Sequence, residues 1–439
     1  MQYGRDMSVP VHERLYDLVA NDDDARVCAA LPEQACRVVP GNFFLILASL
    51  VLTKLGDLLI SPKIVLTWLM GAVGAPAALT ALLVPIRESG SMLPQLLLGA
   101  WVRQRAVRKG YWVAGSVLQG ACVALMAWLV WRYDGLVAGV GLVLVLVLFS
   151  LARGLCSVAI KDVQGKTIPK ARRGRLSGIA GTVAGVMTAL LSLWLFREGG
   201  EPSRLFYIGL LVVAALLWWN AAVLFARVDE LPGETEGGRN GWRQAWTNIG
   251  LLKTDHALRR FVIARALLMC SALAAPFMVM LLQGSDGAAG KLGALLLASA
   301  LASSLSATIW GYLADQSSRR VMLRGGAIAV LACVAAVVMT VAMPALADSV
   351  WAMPLLYFVL SVGHAGVRIG RKTYLVDMAE GDTRTDYVSV SNSAIGLLLL
   401  LAGGVCALLA SISVTLTLLV LALAGLLGVW CVWRLPEVE

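Results

Sequence analysis

The chain has 439 residues, of which 59% are hydrophobic and 15% charged, with a mean hydropathy of +0.78. Soluble domains lie nearer roughly 45–50% apolar and about 25% charged, so a soluble enzyme is excluded and the chain reads as membrane spans joined by short loops. The net charge of +10 is not one patch. Lysines and arginines recur in short clusters between apolar stretches, so the partner they predict is a lipid bilayer and no nucleic acid.

Residues 1–41 lack the apolar core of a signal peptide and carry Asp22, Asp23 and Asp24. They read as a cytoplasmic N-terminal segment with a short amphipathic helix near 10–20. Apolar stretches near 20 residues then predict six spans at 42–62, 76–102, 110–131, 135–160, 176–196 and 204–226. The apolar run 62–75 reads as the extended outer end of span 1. Residues 228–260 interrupt the pattern. They begin DELPGETEGGRNG, a flexible linker, and continue with Trp242, Trp246, Ile249 and Leu252 at helical spacing, which predicts an interfacial helix. Six more spans follow at 261–283, 288–313, 322–345, 350–370, 386–410 and 412–433. The fold expected is all-α, with twelve transmembrane helices in two pseudo-symmetric six-helix bundles, 42–227 and 261–434.

Loop charge gives the orientation. Arg103, Arg105, Arg108 and Lys109 follow span 2; Lys161, Lys166, Lys170, Arg172, Arg173 and Arg175 follow span 4. Arg319, Arg320 and Arg324 follow span 8; Arg371, Lys372 and Arg384 follow span 10. The alternate loops hold only Lys63, Arg132, Arg197, Arg204 and Lys291. Both termini are therefore expected in the cytoplasm, in a bacterial inner membrane. The eight cysteines have neither metal spacing nor a disulfide framework. No metal or cofactor is expected, and a monomer is.

Several charges fall inside the apolar stretches. VLTKLGDLLISPK, from Val51, contains Lys54 and Asp57 on one helix face. Span 2 carries Arg87 and Glu88, span 4 Arg153, span 7 Arg265, and span 10 His364 and Arg368. Each charge costs about 2.5–3.5 kcal/mol at the centre of a spanning helix, so these groups should pair or face a cavity. Lys54, Asp57, Arg87 and Glu88 share a depth and are expected to form one network between spans 1 and 2. Two readings of it stand: a substrate or proton-coupling site, in which Asp57 or Glu88 carries the proton, or a permanent structural salt bridge. His364, a residue type that titrates near neutral pH, and Arg368 extend the candidate site. Arg153 and Arg265 read as long side chains near the cytoplasmic ends.

Two pairs of stretches repeat at nearly one offset. SLARGLCSVAIK at 150–161 pairs with SVGHAGVRIGRK at 361–372, and GAWVRQRAVRK from Gly99 pairs with GYLADQSSRR from Gly311. GYLADQSSRR resembles the loop 8–9 signature of the major facilitator superfamily, G-x-L-A-D-R-x-G-R-R. Gly311, Leu313, Ala314, Asp315, Arg319 and Arg320 match; Gln316 and Ser318 depart. In the first-half copy Gly99, Arg108 and Lys109 fit, and Arg103 stands where the acid belongs. The resemblance implies a transporter whose bundles rock around a central site lined by spans 1, 4, 7 and 10, with spans 3, 6, 9 and 12 facing lipid. It also implies that Gly311, Asp315, Arg319, Arg320 and Arg103 lie at a cytoplasmic gate. Span 5 has Gly178, Gly181 and Gly185 but lacks the proline-bearing glycine motif of many antiporters in that family. No catalytic triad or nucleotide-binding segment is visible, so an enzyme is not expected. The function predicted is secondary active transport of a small organic solute, with protons as the coupling ion considered. A transporter-shaped membrane sensor or assembly protein is the alternative.

Overall fold

The computed structural model describes residues 33–198, 203–233, 235, 250–283, 288–378 and 383–438. The helix expected near 10–20, and Trp242, Trp246 and Ile249 of the expected interfacial helix, lie outside them. In lipid every backbone polar group must be satisfied within its own segment, and helices do this. Ten stretches among the described residues are helical, long and apolar enough to cross a membrane.

Span 1 is Glu33–Leu59, span 3 Lys109–Arg132, span 4 Gly135–Thr167, span 5 Lys170–Glu198 and span 6 Arg204–Ala226. Span 7 is His256–Leu268 continued by Cys270–Met280; span 9 is Ser318–Ala342, span 10 Ala352–Met378, span 11 Thr383–Ala410 and span 12 Val414–Trp433. The two other expected crossings are helical as well. Span 8 runs Ala288–Ala314, and span 2 is divided into Ala77–Met92 and Gln95–Arg103. The division falls at Leu93–Pro94, where proline lacks the N–H that a continuous helix needs. The run after span 1 does not extend it. Pro62 intervenes, and Val65–Ala72 forms a separate buried helix. Ser203, Asp255, Ser317 and Ser413 each accept a backbone N–H at the start of spans 6, 7, 9 and 12, as N-caps do.

The packing order repeats. In the first half span 1 packs on spans 5 and 6, span 3 on 4 and 6, and span 2 on 4. In the second half span 7 packs on spans 11 and 12, span 9 on 10 and 12, and span 8 on 10. Each contact has its counterpart six spans later, which is the two-bundle pseudo-symmetry. The halves meet where span 2 lies on span 11 and span 5 on span 8. Spans 9 and 10 approach closely at paired glycines: a Cβ on Gly325 would lie 2.8 Å from the Gly363 carbonyl oxygen. Large apolar side chains on the outer spans, such as Trp131, Leu205, Leu331 and Leu423, are exposed, as a lipid-facing surface requires.

The loops after spans 2, 4, 6 and 8 and the end of span 12 lie on one face, here the basic face. Glu230, beyond span 6, has a fully enclosed side chain. It accepts from the Arg108 and Lys109 backbone amides at 2.8 and 2.6 Å and pairs with Lys166 at 2.8 Å. Arg108 pairs with Asp162 at 3.1 Å. On the opposite face Val65–Ala72 packs against spans 2 and 7, and Gln283 Nε2 donates to the Thr67 carbonyl at 2.8 Å. Residues 64–70 are all buried there, so the two halves close on one another at that face.

Candidate functional site

Asp57 on span 1 accepts from Arg87 of span 2 at 2.9 Å and pairs through its other oxygen with Arg153 of span 4. The Arg87 guanidinium also lies 5.0 Å from the centroid of the Phe149 ring, a cation–π position. Proximity to the span end did not set the place of Arg153. Span 4 runs on to Thr167, well past the expected 160, so Arg153 sits within the bundle and reaches Asp57.

The structure joins only two members of the expected four-residue network. Lys54 extends toward span 5, its Nζ 3.6 Å from where a Cβ on Gly181 would stand. Glu88 follows Arg87 directly, and successive residues point about 100° apart around a helix. It makes no ion pair or side-chain hydrogen bond among the described residues. It does lie close enough to Lys63, after span 1, and to Arg371 of span 10 to attract both electrostatically.

Across the midline, His364 of span 10 uses both ring nitrogens. Its Nδ1 is 3.0 Å from Ser271 Oγ and its Nε2 3.3 Å from Lys63 Nζ. An ammonium only donates, so with Lys63 charged Nε2 is the acceptor and Nδ1 donates to Ser271. Ser271 passes the chain on by donating to the Leu268 carbonyl at 2.9 Å. These groups line a largely polar cavity of about 140 Å³ together with Ser299, Ser303 and Arg368. Sequence position places Lys63 in an outer loop; the structure draws it inward, to the cavity wall. A wider cleft of about 530 Å³ between spans 1, 5, 6 and 8 is lined by groups such as Leu55, Met187, Trp194 and Leu296, with no charged side chain.

Nearer the basic face, Arg265 is buried and donates to Ser391 Oγ at 2.6 Å and Asn392 Oδ1 at 2.9 Å. Arg371 is 2.8 Å from the Met269 sulfur. Arg368, Lys372 and Lys161 are exposed while residues 64–70 are buried. That gradient leaves the cavity's charged wall accessible from the basic face and closed from the other. In the loop 8–9 motif, Arg319 donates to the Leu435 carbonyl at 2.8 Å and pairs with Glu437 at 3.0 Å; Arg320 lies 3.5 Å from the same carboxylate. These contacts tie the loop to the end of span 12. Gly311 falls in the last turns of span 8. The Asp315 side chain makes no ion pair or hydrogen bond among the described residues, and Arg103 is exposed and likewise unpaired. Sequence reasoning did not single out Glu230, whose three donors come from loops far apart in the chain.

The sequence model of the Major Facilitator Superfamily matches residues 46–342. Among curated proteins none matches the sequence. Solved structures share the fold. A mutant of the nucleoside transporter NupG aligns with a TM-score of 0.70 at 12% identity, covering 89% of this chain and 99% of that one. The inward-open xylose transporter XylE from E. coli aligns at 0.65 and 12%, covering 91% and 97%. An auto-inhibited POT family peptide transporter aligns at 0.63 and 14%, covering 90% and 97%.

Proposed function

Because the chain belongs to the Major Facilitator Superfamily, we propose that it is a secondary active transporter that moves a small organic solute by alternating access, coupled to protons. In this reading both termini lie in the cytoplasm of a bacterial inner membrane, as the excess of lysine and arginine on the basic face supports.

The observation that carries the coupling is the placement of Glu88. Protonating Asp57 would leave Arg87 and Arg153 without their shared counter-charge, so Asp57 serves as a fixed strut within the first bundle. Glu88 holds no direct ion pair among the described residues, and its charge attracts Lys63, Arg87 and Arg371. A proton on Glu88 cancels that attraction. The states facing either side then differ in free energy according to whether the proton is bound, which is what coupling requires. Glu88 is the residue of the four expected at the site that takes this role; His364, hydrogen-bonded to Lys63, assists by positioning.

The test is reconstitution of the full chain into liposomes with an imposed pH gradient and a panel of radiolabelled sugars, nucleosides, peptides and organic acids. The wild type is expected to concentrate one class. Glu88→Gln is expected to fold and exchange that solute across the membrane yet fail to concentrate it. Normal pH-driven accumulation by Glu88→Gln would remove the coupling role. A panel in which nothing moves would favour the transporter-shaped sensor.

A further inference from the structure

The spans of the second half contain no aspartate or glutamate across 261–280, 288–314, 318–342, 352–375, 390–410 and 414–433. They do contain Arg265, Arg368 and Arg371. Arg265 and Arg371 are bonded to neutral acceptors, a serine, an asparagine and a thioether. The 140 Å³ cavity has Lys63 and Arg368 in its wall and no carboxylate. Arg368 makes no ion pair or hydrogen bond among the described residues. The hydrogen bond described for Lys63 goes to the His364 imidazole. Asp57, the carboxylate nearest the first bundle's arginines, is already shared between two of them. Glu88, the acid beside Arg87, attracts Lys63 and Arg371 without direct contact.

Cations held in low dielectric without counter-charge are costly, and the cost falls when an anion arrives. From this surplus we infer that the transported solute is a small organic anion, whose carboxylate or phosphate group is held between Lys63 and Arg368; the inference rests on the transport reading above. The surrounding chemistry fits that group. Lysine and arginine give charge-assisted donors from opposite halves of the molecule. Ser299, Ser303 and Ser361 add hydroxyls along the same wall. His364 is fixed with its accepting nitrogen toward Lys63, which holds the ammonium in the cavity. The volume suits the anionic group of a solute rather than an entire large one, so the remainder extends toward the accessible basic face. An anion bridging Lys63 and Arg368 also draws the two halves together, so occupancy and closure are linked. Glu88 repels such an anion until it is protonated. Solute and proton thereby favour each other's binding without direct contact.

The test uses purified full-length protein in detergent at fixed ionic strength. Binding is measured by calorimetry for inorganic phosphate, glycerol phosphate, succinate and citrate, with xylose and adenosine as uncharged comparisons. At least one anion is expected to bind, and neither uncharged solute to match it. Arg368→Gln is expected to weaken it about tenfold or more, and Lys63→Met similarly. Arg368→Lys is expected to recover part of the loss, which separates a lost charge from a damaged fold. Binding by an uncharged solute alone, no binding by any anion, or anion binding unchanged in both neutral variants would overturn the proposal. The transport reading fails separately. Anion binding without flux in liposomes would remove transport and keep the site, whereas accumulation of an uncharged solute would keep transport and remove the site.

Discussion

In the first half, Asp57 stands between Arg87 and Arg153, and Glu230 closes on Lys166 and two backbone amides. In the second half, Arg265 and Arg371 rest on neutral acceptors and Arg368 meets no carboxylate among the described residues. The backbone repeats itself between these halves, contact for contact, while the charge does not. One bundle neutralises its buried cations internally. The other rests Arg265 and Arg371 on neutral acceptors and sets Arg368 in the cavity wall, facing Lys63 of the first half. A fold symmetry of this kind fixes where charged positions fall; which of them are paired decides whether a position serves stability or binding.

The sharpest way to break this contrast is to remove Asp57. Asp57→Asn leaves two arginines with a neutral amide between them. Loss of one partner from a buried ionic cluster costs about 3–5 kcal/mol; this one is half-buried, so unfolding in mixed detergent micelles is expected to show a fall of about 3 kcal/mol, the low end of that range. The triple change Asp57→Leu, Arg87→Met and Arg153→Met removes all three charges and is expected to regain most of it. Arg368→Gln removes a cation with no ion pair among the described residues and is expected to change stability by less than about 0.5 kcal/mol. Equal losses for Asp57→Asn and Arg368→Gln would erase the distinction between the halves.

A second contrast lies on the basic face, where each half binds its loops through a glutamate. The Glu230 side chain is enclosed and receives three donors, whereas that of Glu437 is 44% exposed. Glu230→Ala strands two backbone amides and leaves the Lys166 ammonium only the Ala106 carbonyl, and about 2–3 kcal/mol of stability is expected to go with it. Glu437→Ala removes a surface pair and is expected to cost about 0–1 kcal/mol. Hydrogen exchange should report the first change as faster exchange at Arg108 and Lys109, with little change at residues 319–320 after the second.

The crossings were legible from hydropathy because lipid permits few alternatives to a helix. The break in span 2 had its signal in Pro94, and the separate Val65–Ala72 helix had its own in Pro62, Gly74 and Pro76; the apolar run masked both. Neighbouring residues on a helix diverge, so the separation of Glu88 from Arg87 was also readable. What sequence position did not carry was depth. Arg153 and Lys63 were assigned to the ends of apolar runs, yet span 4 is longer than its apolar core and the chain after span 1 turns back into the protein. The partners of Glu230 were beyond reach for another reason: two of its three donors are backbone amides, which every sequence has. The loop 8–9 motif was found by its residues, while its observed contacts run through Arg319 and Arg320 to the chain end and leave Asp315 unbonded among the described residues.

A smaller effect is expected at another paired carboxylate of the second half, one that lies outside the membrane. Asp255 caps span 7, accepting from the Ala257 and Leu258 amides at 2.8 and 3.0 Å and from the Tyr387 hydroxyl of span 11. Burial acts to raise its carboxyl, and the Tyr387 hydroxyl with the two amides outweighs this and holds it below the ordinary aspartate value. The same bond pushes the Tyr387 hydroxyl up to about 12. The signs are opposite. Asp255 contributes stability that is present above the ordinary aspartate range, near 4, and fades as pH falls through its lower folded value. Tyr387 contributes stability that is present below about 10 and fades as pH rises toward 12. The pair is partly open to solvent, so Asp255→Ala is expected to cost only about 1 kcal/mol at pH 7. Asp255→Asn is expected to cost less, because asparagine also caps a helix. Melting temperatures of the wild type and Asp255→Ala should converge as pH falls from about 5 toward 2, and those of the wild type and Tyr387→Phe should converge above about 10. Parallel curves at both ends would show that the bond between spans 7 and 11 carries no charge-dependent stability. The second half would then hold its helices together through neutral contacts at its surface as well as in its core.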